Sequence, residues 1–173
     1  MKNLKFIKNN TKGFTPHTSK KVWGFTLIEI LISSFILVSV ATISIVYLSG
    51  YQRTVAVNTE AEKIAAYLRQ AQNRVMSGES FVAWGVHFVN PQSGDDYYAL
   101  FQGSVYTSTS LVETIYLSKQ IEFTVPSASS TQDVVFQRIT GWPTATTSVT
   151  IVSKVNSNLT KTISVNSVGQ VNY

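Results

Sequence analysis

Glu29 is the strongest candidate for a functional residue, because it carries the only formal charge among the 24 residues from Phe25 to Leu48. That run contains neither glycine nor proline, and as a helix it would measure about 36 Å, enough to cross a hydrocarbon core of about 30 Å. A carboxylate at the centre of a bilayer costs about 2.5 to 3.5 kcal/mol on insertion scales. A simple membrane anchor has no use for such a group, so we expect Glu29 to have a functional partner.

Few other residues are candidates for catalysis, metal binding or modification. His87 is the only histidine beyond the apolar run, the chain has no cysteine, and neither a G-x-S-x-G motif nor a phosphate-binding loop occurs. His87 alternates within a predicted strand, which indicates a packing or surface residue. Asp95 and Asp96 suggest a calcium loop, but without further spaced carboxylates turn chemistry is favoured. Asn158 begins a glycosylation sequon in a predicted loop. We expect no enzyme, no metal site and no cofactor.

The distribution of charge indicates a membrane topology. Six of the 14 basic residues precede Gly24 and none of the nine acidic residues do, so the remainder has a net charge of about −1. By the positive-inside rule, the lysine-rich segment stays in the cytoplasm and the part after the apolar run lies across the membrane. A net charge near −1 gives little neutralisation of phosphates, so nucleic acid is not expected as a partner.

Two simpler interpretations of the N-terminal segment compete. A secretory signal peptide has an apolar region of about 7 to 15 residues followed by a small-residue cleavage site. The run here is longer, and no clear A-x-A site follows it. An uncleaved signal anchor needs only the lysines and the apolar run, but it leaves Glu29 without a role.

The sequence G-FTLIE at residues 24–29 closely resembles the processing signal of type IV prepilins and of type II secretion pseudopilins. The resemblance implies that a membrane-bound prepilin peptidase cuts between Gly24 and Phe25 and methylates the new amino terminus of Phe25. It also implies that Glu29 is the assembly glutamate, whose partner is the amino terminus of a neighbouring pilin subunit. An intramolecular pair between Glu29 and the Phe25 amine is the alternative.

Looser similarities follow in the second half of the chain. The segments 84–88, 97–101, 135–141 and 162–171 resemble successive strands of minor pilins and pseudopilins of the GspH and FimT type. This implies a structural subunit of a type IV pilus or a type II secretion pseudopilus. Such a subunit sits in the lipid of the inner membrane with its N-terminus in the cytoplasm, and then in an extracellular or periplasmic filament. The alternative is a single-pass anchored binding or adhesion module that does not polymerise.

Glu29 is predicted to lie near the start of a long helix. Beyond Leu48, apolar residues recur at spacings of three and four, and Gly78 is a plausible C-terminal cap. We therefore predict one helix from about Phe25 to Ser77, apolar in its first half and amphipathic in its second. The apolar stripe of the second half consists of Val57, Ala61, Ile64, Leu68, Ala71 and Val75.

The remaining residues predict a β-rich domain, because their period shifts towards two and β-branched and aromatic residues dominate. The expected fold is α+β, with the long helix packed on an antiparallel sheet or small sandwich, as in type IV pilins. We predict a leader at 1–24, a transmembrane half-helix at 25–48, an amphipathic half-helix at 49–78 and an exported domain at 79–173. The predicted strands are 81–89, 97–102, 112–117, 121–125, 133–138, 149–154, 161–166 and 170–173.

Overall fold

The computed structural model describes residues 24–173, except for the side chains of residues 44–47. Apart from Gly24, the predicted leader therefore lies outside the described residues. The first element is helix α1, Leu27–Met76, which is 50 residues long. Its bounds lie within two residues of those that the hydrophobic pattern predicts. The chain divides into two compact units, one ending at Ile43 and the other running from Ser44 to Tyr173.

Helix α1 ends at Met76, and Gly78 lies just beyond it, where the sequence predicts the C-terminal cap. This glycine has φ 74° and ψ 20°, a left-handed conformation that costs a residue without a side chain little. Its N–H donates to the carbonyl of Val75 over 3.1 Å, and the N–H of Ser77 donates to Asn73 over 2.8 Å. These bonds satisfy carbonyl groups that the last turn of the helix would otherwise leave without partners.

Eight strands follow the helix and a short 3-10 turn at Glu79–Phe81. Each overlaps one of the eight predicted strands. In chain order they are β1 Trp84–Asn90, β2 Tyr97–Gln102, β3 Leu111–Tyr116, β4 Ile121–Val125, β5 Ser130–Phe136, β6 Thr147–Ser153, β7 Asn156–Val165 and β8 Val171–Asn172.

The strands form two antiparallel sheets rather than one meander. The first has the order β3-β2-β1-β5 and the second the order β4-β6-β7-β8. The chain thus passes from the first sheet to the second at β4 and returns to the first at β5. In the first sheet Val86 of β1 lies between Leu100 of β2 and Val134 of β5. In the second, β6 and β7 are joined by a tight turn and pair Val149 with Ile163.

One hydrophobic core combines the helix with both sheets. All six residues of the predicted helical stripe are buried, with side chains at most 3% exposed. They share the core with residues of the first sheet such as Val86 and Phe88, and of the second such as Ile151 and Ile163. The predicted α+β fold, a long N-terminal helix packed on antiparallel strands, is therefore confirmed.

The predicted starts of β1 and β7 are wrong. Phe81 lies in the 3-10 turn with φ 54° and is 72% exposed, so the first strand begins only at Trp84. Its aromatic side chain favours a strand locally, but the left-handed turn at Gly78 decides the backbone there. Asn156 and Asn158, predicted in a turn, lie in β7, and so does the sequon that Asn158 begins. Asn156 pairs with Ser153 of β6, whereas Asn158 lies at a register shift and its N–H donates to Oδ1 of Asn156 over 3.1 Å.

Candidate processing and assembly site

The segment before α1 is not helical, and it ends in a helix cap. Residues 24–26 are not helical, and the helix begins at Leu27. The Oγ1 atom of Thr26 accepts a hydrogen bond from the N–H of Glu29 over 3.3 Å, and the Thr26 carbonyl accepts from Ile30 over 3.2 Å. Thr26 is therefore the N-cap residue, which satisfies a donor of the first turn.

The cap places Glu29 at the third helical position. A threonine N-cap with a glutamate at this position has the sequence pattern of a capping box. The positive end of the helix dipole also favours a carboxylate in the first turn. The T-x-x-E spacing of residues 26–29 is thus a sequence signal for the cap at Thr26, separate from the processing motif. Within residues 24–173, Glu29 has no ion-pair partner, so its charge is available to another group.

Gly24 and Phe25 lie immediately before the cap and are open to their surroundings. A Cβ atom built on Gly24 meets no heavy atom within 4 Å, and the Phe25 side chain is 78% exposed. Proteases reach an exposed peptide bond outside a helix more readily than one within a helix. The geometry at this junction therefore suits cleavage between the two residues.

The first part of α1 exposes apolar surface on all sides. Every described side chain from residue 24 to residue 43 is exposed, including Leu27 at 81% and Phe35 at 72%. By length and composition, α1 is long and apolar enough to cross a membrane. Monomeric soluble proteins rarely expose contiguous apolar surface of this extent. Such a surface needs cover, which lipid or other protein chains can supply.

Three hydroxyl groups in this apolar stretch donate hydrogen bonds to the helix itself. Ser34, Ser39 and Thr42 donate to the carbonyls of residues three or four positions earlier, over 2.8 to 2.9 Å. Internal hydrogen bonds of this kind lower the cost of a polar side chain where water is absent. These residues are therefore compatible with an apolar environment, and Glu29 remains the one charge in it.

His87 is buried in the outer layer of the first sheet, as its alternation in a strand predicted. Its Nδ1 atom is hydrogen-bonded to a carboxylate oxygen of Asp133, which lies directly opposite on β5. Its ring stacks on Tyr106, with the ring centroids 3.8 Å apart. These contacts hold the loop between β2 and β3 on the sheet, which is a structural role.

The acidic pair after Gly94 separates into one buried and one exposed residue. Asp96 is 6% exposed and accepts a backbone hydrogen bond, whereas Asp95 is exposed. Among the residues that the structure describes, no group of three or more histidines and carboxylates could hold a metal ion. The carboxylate of Asp96 accepts from the backbone of Phe123, 27 residues away, so simple turn chemistry does not account for Asp96.

Glu60 was not expected in the core, yet it is only 3% exposed. It lies three residues after Val57 and four before Ile64, so it belongs to the buried stripe by position. That spacing was a signal for its burial, although its charge argued against it. Its carboxylate is 3.3 Å from Nζ of Lys63.

Comparisons with known proteins support the fold alone. No protein-family model matches the sequence, and no curated protein matches it significantly. Two solved structures that resemble the chain are crystal forms of the type IV minor pilin FimU of Pseudomonas aeruginosa. One has a TM-score of 0.50 at 12% identity over 67% of this chain and 86% of FimU. The other has a TM-score of 0.48 at 12% identity over 66% of this chain and 90% of FimU. The chain therefore has the fold of a type IV minor pilin.

Proposed function

We propose that this chain is a minor pilin or pseudopilin, a structural subunit of a type IV pilus or a type II secretion pseudopilus. The observation that carries the proposal is the position of Glu29, an unpartnered carboxylate within residues 24–173, in the first turn of an exposed apolar helix. The pilin fold of the rest of the chain supports the same role. In this role the chain is a structural component and a peptidase substrate, not an enzyme.

The proposed processing step is hydrolysis of the peptide bond between Gly24 and Phe25 by a prepilin peptidase. Water adds across this bond, leaving a carboxylate on Gly24 and a free α-amine on Phe25. Such an amine has a reference pKa of about 7.7 to 8, so it is largely cationic at neutral pH, and a single N-methyl group keeps the charge. Processing therefore creates a positive group next to an apolar segment that already contains a negative one.

The proposed assembly step joins these two charges between subunits. A cation and an anion in an apolar layer are both costly unless they meet, because desolvation penalties and mutual attraction grow together as the dielectric falls. Pairing Glu29 with the Phe25 amine of a neighbouring subunit satisfies both groups and fixes the register of one helix against the next. Lipid would cover the apolar surface of residues 24–43 before assembly. Neighbouring subunits would cover the same surface in the filament.

The proposed location follows from the same elements. The leader stays in the cytoplasm, the helix occupies the cytoplasmic membrane, and the β domain lies outside. The net charge of about −1 after Gly24 gives no support to nucleic-acid binding.

Mass spectrometry of the protein extracted from the membranes of its native host tests the processing step. The proposal expects an N-terminal peptide that begins with N-methylated Phe25. An intact N-terminus at Met1 would instead favour an anchored module that does not polymerise.

A further inference from the structure

Four large apolar side chains are exposed around the C-terminal end of α1, within the second unit of the chain. They are Met76 at 60% exposure, Phe81 at 72%, Ile139 at 81% and Trp142 at 53%. Together with Arg138 they form what we call the turn patch. Because more than half of each apolar side chain is exposed, these residues protrude from the surface instead of lining a cleft.

Contacts between three segments hold the turn patch together. The guanidinium carbon of Arg138 is 5.5 Å from the centroid of the Phe81 ring. The side-chain amide of Gln72 donates a hydrogen bond to the carbonyl of Gly141 over 3.0 Å. A Cβ atom built on Gly141 would be 2.9 Å from Cγ of Met76. The end of α1, the turn that follows it and the loop between β5 and β6 are therefore neighbours.

The backbone conformation of Ile139 indicates that its side chain has a function outside the chain. Ile139 has φ 75°, and a β-branched residue is rarely found in this left-handed region. Glycine or asparagine adopts it at lower cost. The isoleucine side chain gains little burial in return, since most of it is exposed. Phe81 has φ 54° and is also exposed, and residues held in such conformations cluster at binding sites.

Arg138 adds a positive charge to the turn patch. No carboxylate of residues 24–173 forms an ion pair with it, in contrast to Arg74, which pairs with Glu79 over 2.8 Å. The turn patch thus combines aromatic and aliphatic side chains with an arginine whose charge is available to another group. This combination is typical of protein surfaces at the boundary between lipid headgroups and acyl chains.

We propose that the turn patch binds the surface of a lipid bilayer with anionic headgroups. Ile139, Phe81 and Trp142 enter the interfacial layer, and the guanidinium of Arg138 pairs with lipid phosphate. Protruding side chains suit a deformable lipid layer better than a protein partner, because the residues that dominate protein interfaces lie in well-packed pockets.

The bilayer in question is a second one, distinct from the bilayer that holds the apolar segment. Met76 lies about 48 Å along the helix from Ser44, which exceeds the roughly 30 Å of a hydrocarbon core. The binding goes beyond the proposed function and requires no filament, so isolated copies of the chain can be tested.

Vesicle flotation tests the binding with the full chain. The chain is held in nanodiscs of phosphatidylcholine through its apolar segment and is mixed with vesicles of phosphatidylcholine and phosphatidylglycerol. Discs that bind the vesicles float with them, and discs without protein give the background. We expect the protein-containing discs to float with these vesicles, and fewer of them to float with vesicles of phosphatidylcholine alone.

Ile139→Asn is the decisive variant, because asparagine tolerates the left-handed conformation and the fold should be retained. Thermal unfolding checks that it is. The variant should lower the affinity for the vesicles about tenfold, since it removes an inserted apolar side chain. Val155→Asn is the matched control, because Val155 is also an exposed apolar residue and lies in the turn at the opposite end of β6. It should leave the affinity unchanged.

Arg138→Gln tests the charge separately. It should lower the affinity for the anionic vesicles about fivefold and leave any binding to phosphatidylcholine vesicles unchanged. Lys154→Gln removes an equal charge from an exposed position beside Val155 and should have a smaller effect.

Two results would overturn the proposal. One is flotation no greater than background, or an equal loss for Ile139→Asn and Val155→Asn. The other is association between protein-containing discs without vesicles that Ile139→Asn abolishes, because the turn patch would then bind protein. Neither result bears on Glu29 or on filament assembly, so a failure of this inference is distinguishable from a failure of the proposed function.

Discussion

The Oδ2 atom of Asp96 accepts a 2.6 Å hydrogen bond from the backbone N–H of Phe123. Asp96 ends the loop between β1 and β2 of the first sheet, and Phe123 lies in β4 of the second. The backbone carbonyl of Asp96 also accepts from Leu117 over 2.8 Å. This one residue therefore fixes the path by which the chain leaves one sheet for the other.

Replacing Asp96 with alanine should destabilise the domain. The change removes a charge-assisted hydrogen bond and leaves the Phe123 N–H buried without an acceptor, a loss of about 2 to 3 kcal/mol. Thermal unfolding of the full chain in detergent should show a midpoint lower by roughly 4 to 10 °C. Asp95→Ala, at the exposed neighbouring position, is the control. Equal midpoints for the two variants would show that the bond does not contribute.

Gly85 should not tolerate a side chain. A Cβ atom there would lie 2.6 Å from Cζ of Phe101 and 2.8 Å from the carbonyl oxygen of Val134, and the latter is backbone that cannot rotate away. Gly85→Ala should therefore lower the free energy of unfolding by about 1 to 3 kcal/mol, measured by urea denaturation. Gly50→Ala is the matched change, because Gly50 is helical with nothing within 4 Å of the added atom. It should be neutral or stabilising by up to about 1 kcal/mol.

Tyr98 should make stability fall at alkaline pH. Burial raises the pKa of its hydroxyl above the ordinary value of 10, and the negative charge of Glu60 adds to the effect. Because the pKa is raised on folding, its contribution is fully present below pH 10 and is lost as pH rises through the folded value. Urea unfolding between pH 8 and pH 11 should show this decline.

Tyr98→Phe should reduce the loss of stability at alkaline pH. Part of the loss should remain, because burial also raises the pKa values of Tyr67 and Tyr97. The Tyr98 hydroxyl is buried with no hydrogen-bond partner among the described residues. The variant should therefore match or exceed the stability of the unmodified chain at pH 7. An unchanged pH dependence would exclude Tyr98 as its source.

The sequence predicted the elements whose causes are local. The buried stripe from Val57 to Val75 follows from helical periodicity, and the end of α1 follows from a glycine that can adopt positive φ. Strands β2 and β4 were predicted with their observed bounds, because alternation and clear turn residues flank them. Local patterns suffice where the backbone conformation depends on neighbouring residues alone.

The strand order and several partners were not predictable in this way. Strand β4 joins the second sheet through contacts such as Asp96 with Phe123, which are 27 residues apart in sequence. The stacking of His87 on Tyr106 likewise depends on a loop folding back over the sheet. At the candidate site, the motif predicts roles for Gly24, Phe25 and Glu29, whereas the cap at Thr26 required the backbone bonds.

Glu29→Leu is the change that bears on the central claim. It removes the one charge of the apolar segment and leaves the leader and Gly24 in place. Membrane insertion and an N-terminus at Phe25 should persist, because neither depends on the carboxylate. Glu62→Leu, on an exposed position of the same helix, removes an equal charge as the control.

The most direct measurement is the amount of each variant in filaments sheared from the native host, relative to the amount in its membranes. We predict that Glu29→Leu lowers this ratio by at least about tenfold, as for the loss of a close interfacial charge pair, while Glu62→Leu leaves it unchanged. Recovery of Glu29→Leu in filaments at the level of the unmodified chain would contradict the pairing of Glu29 with a neighbouring amino terminus.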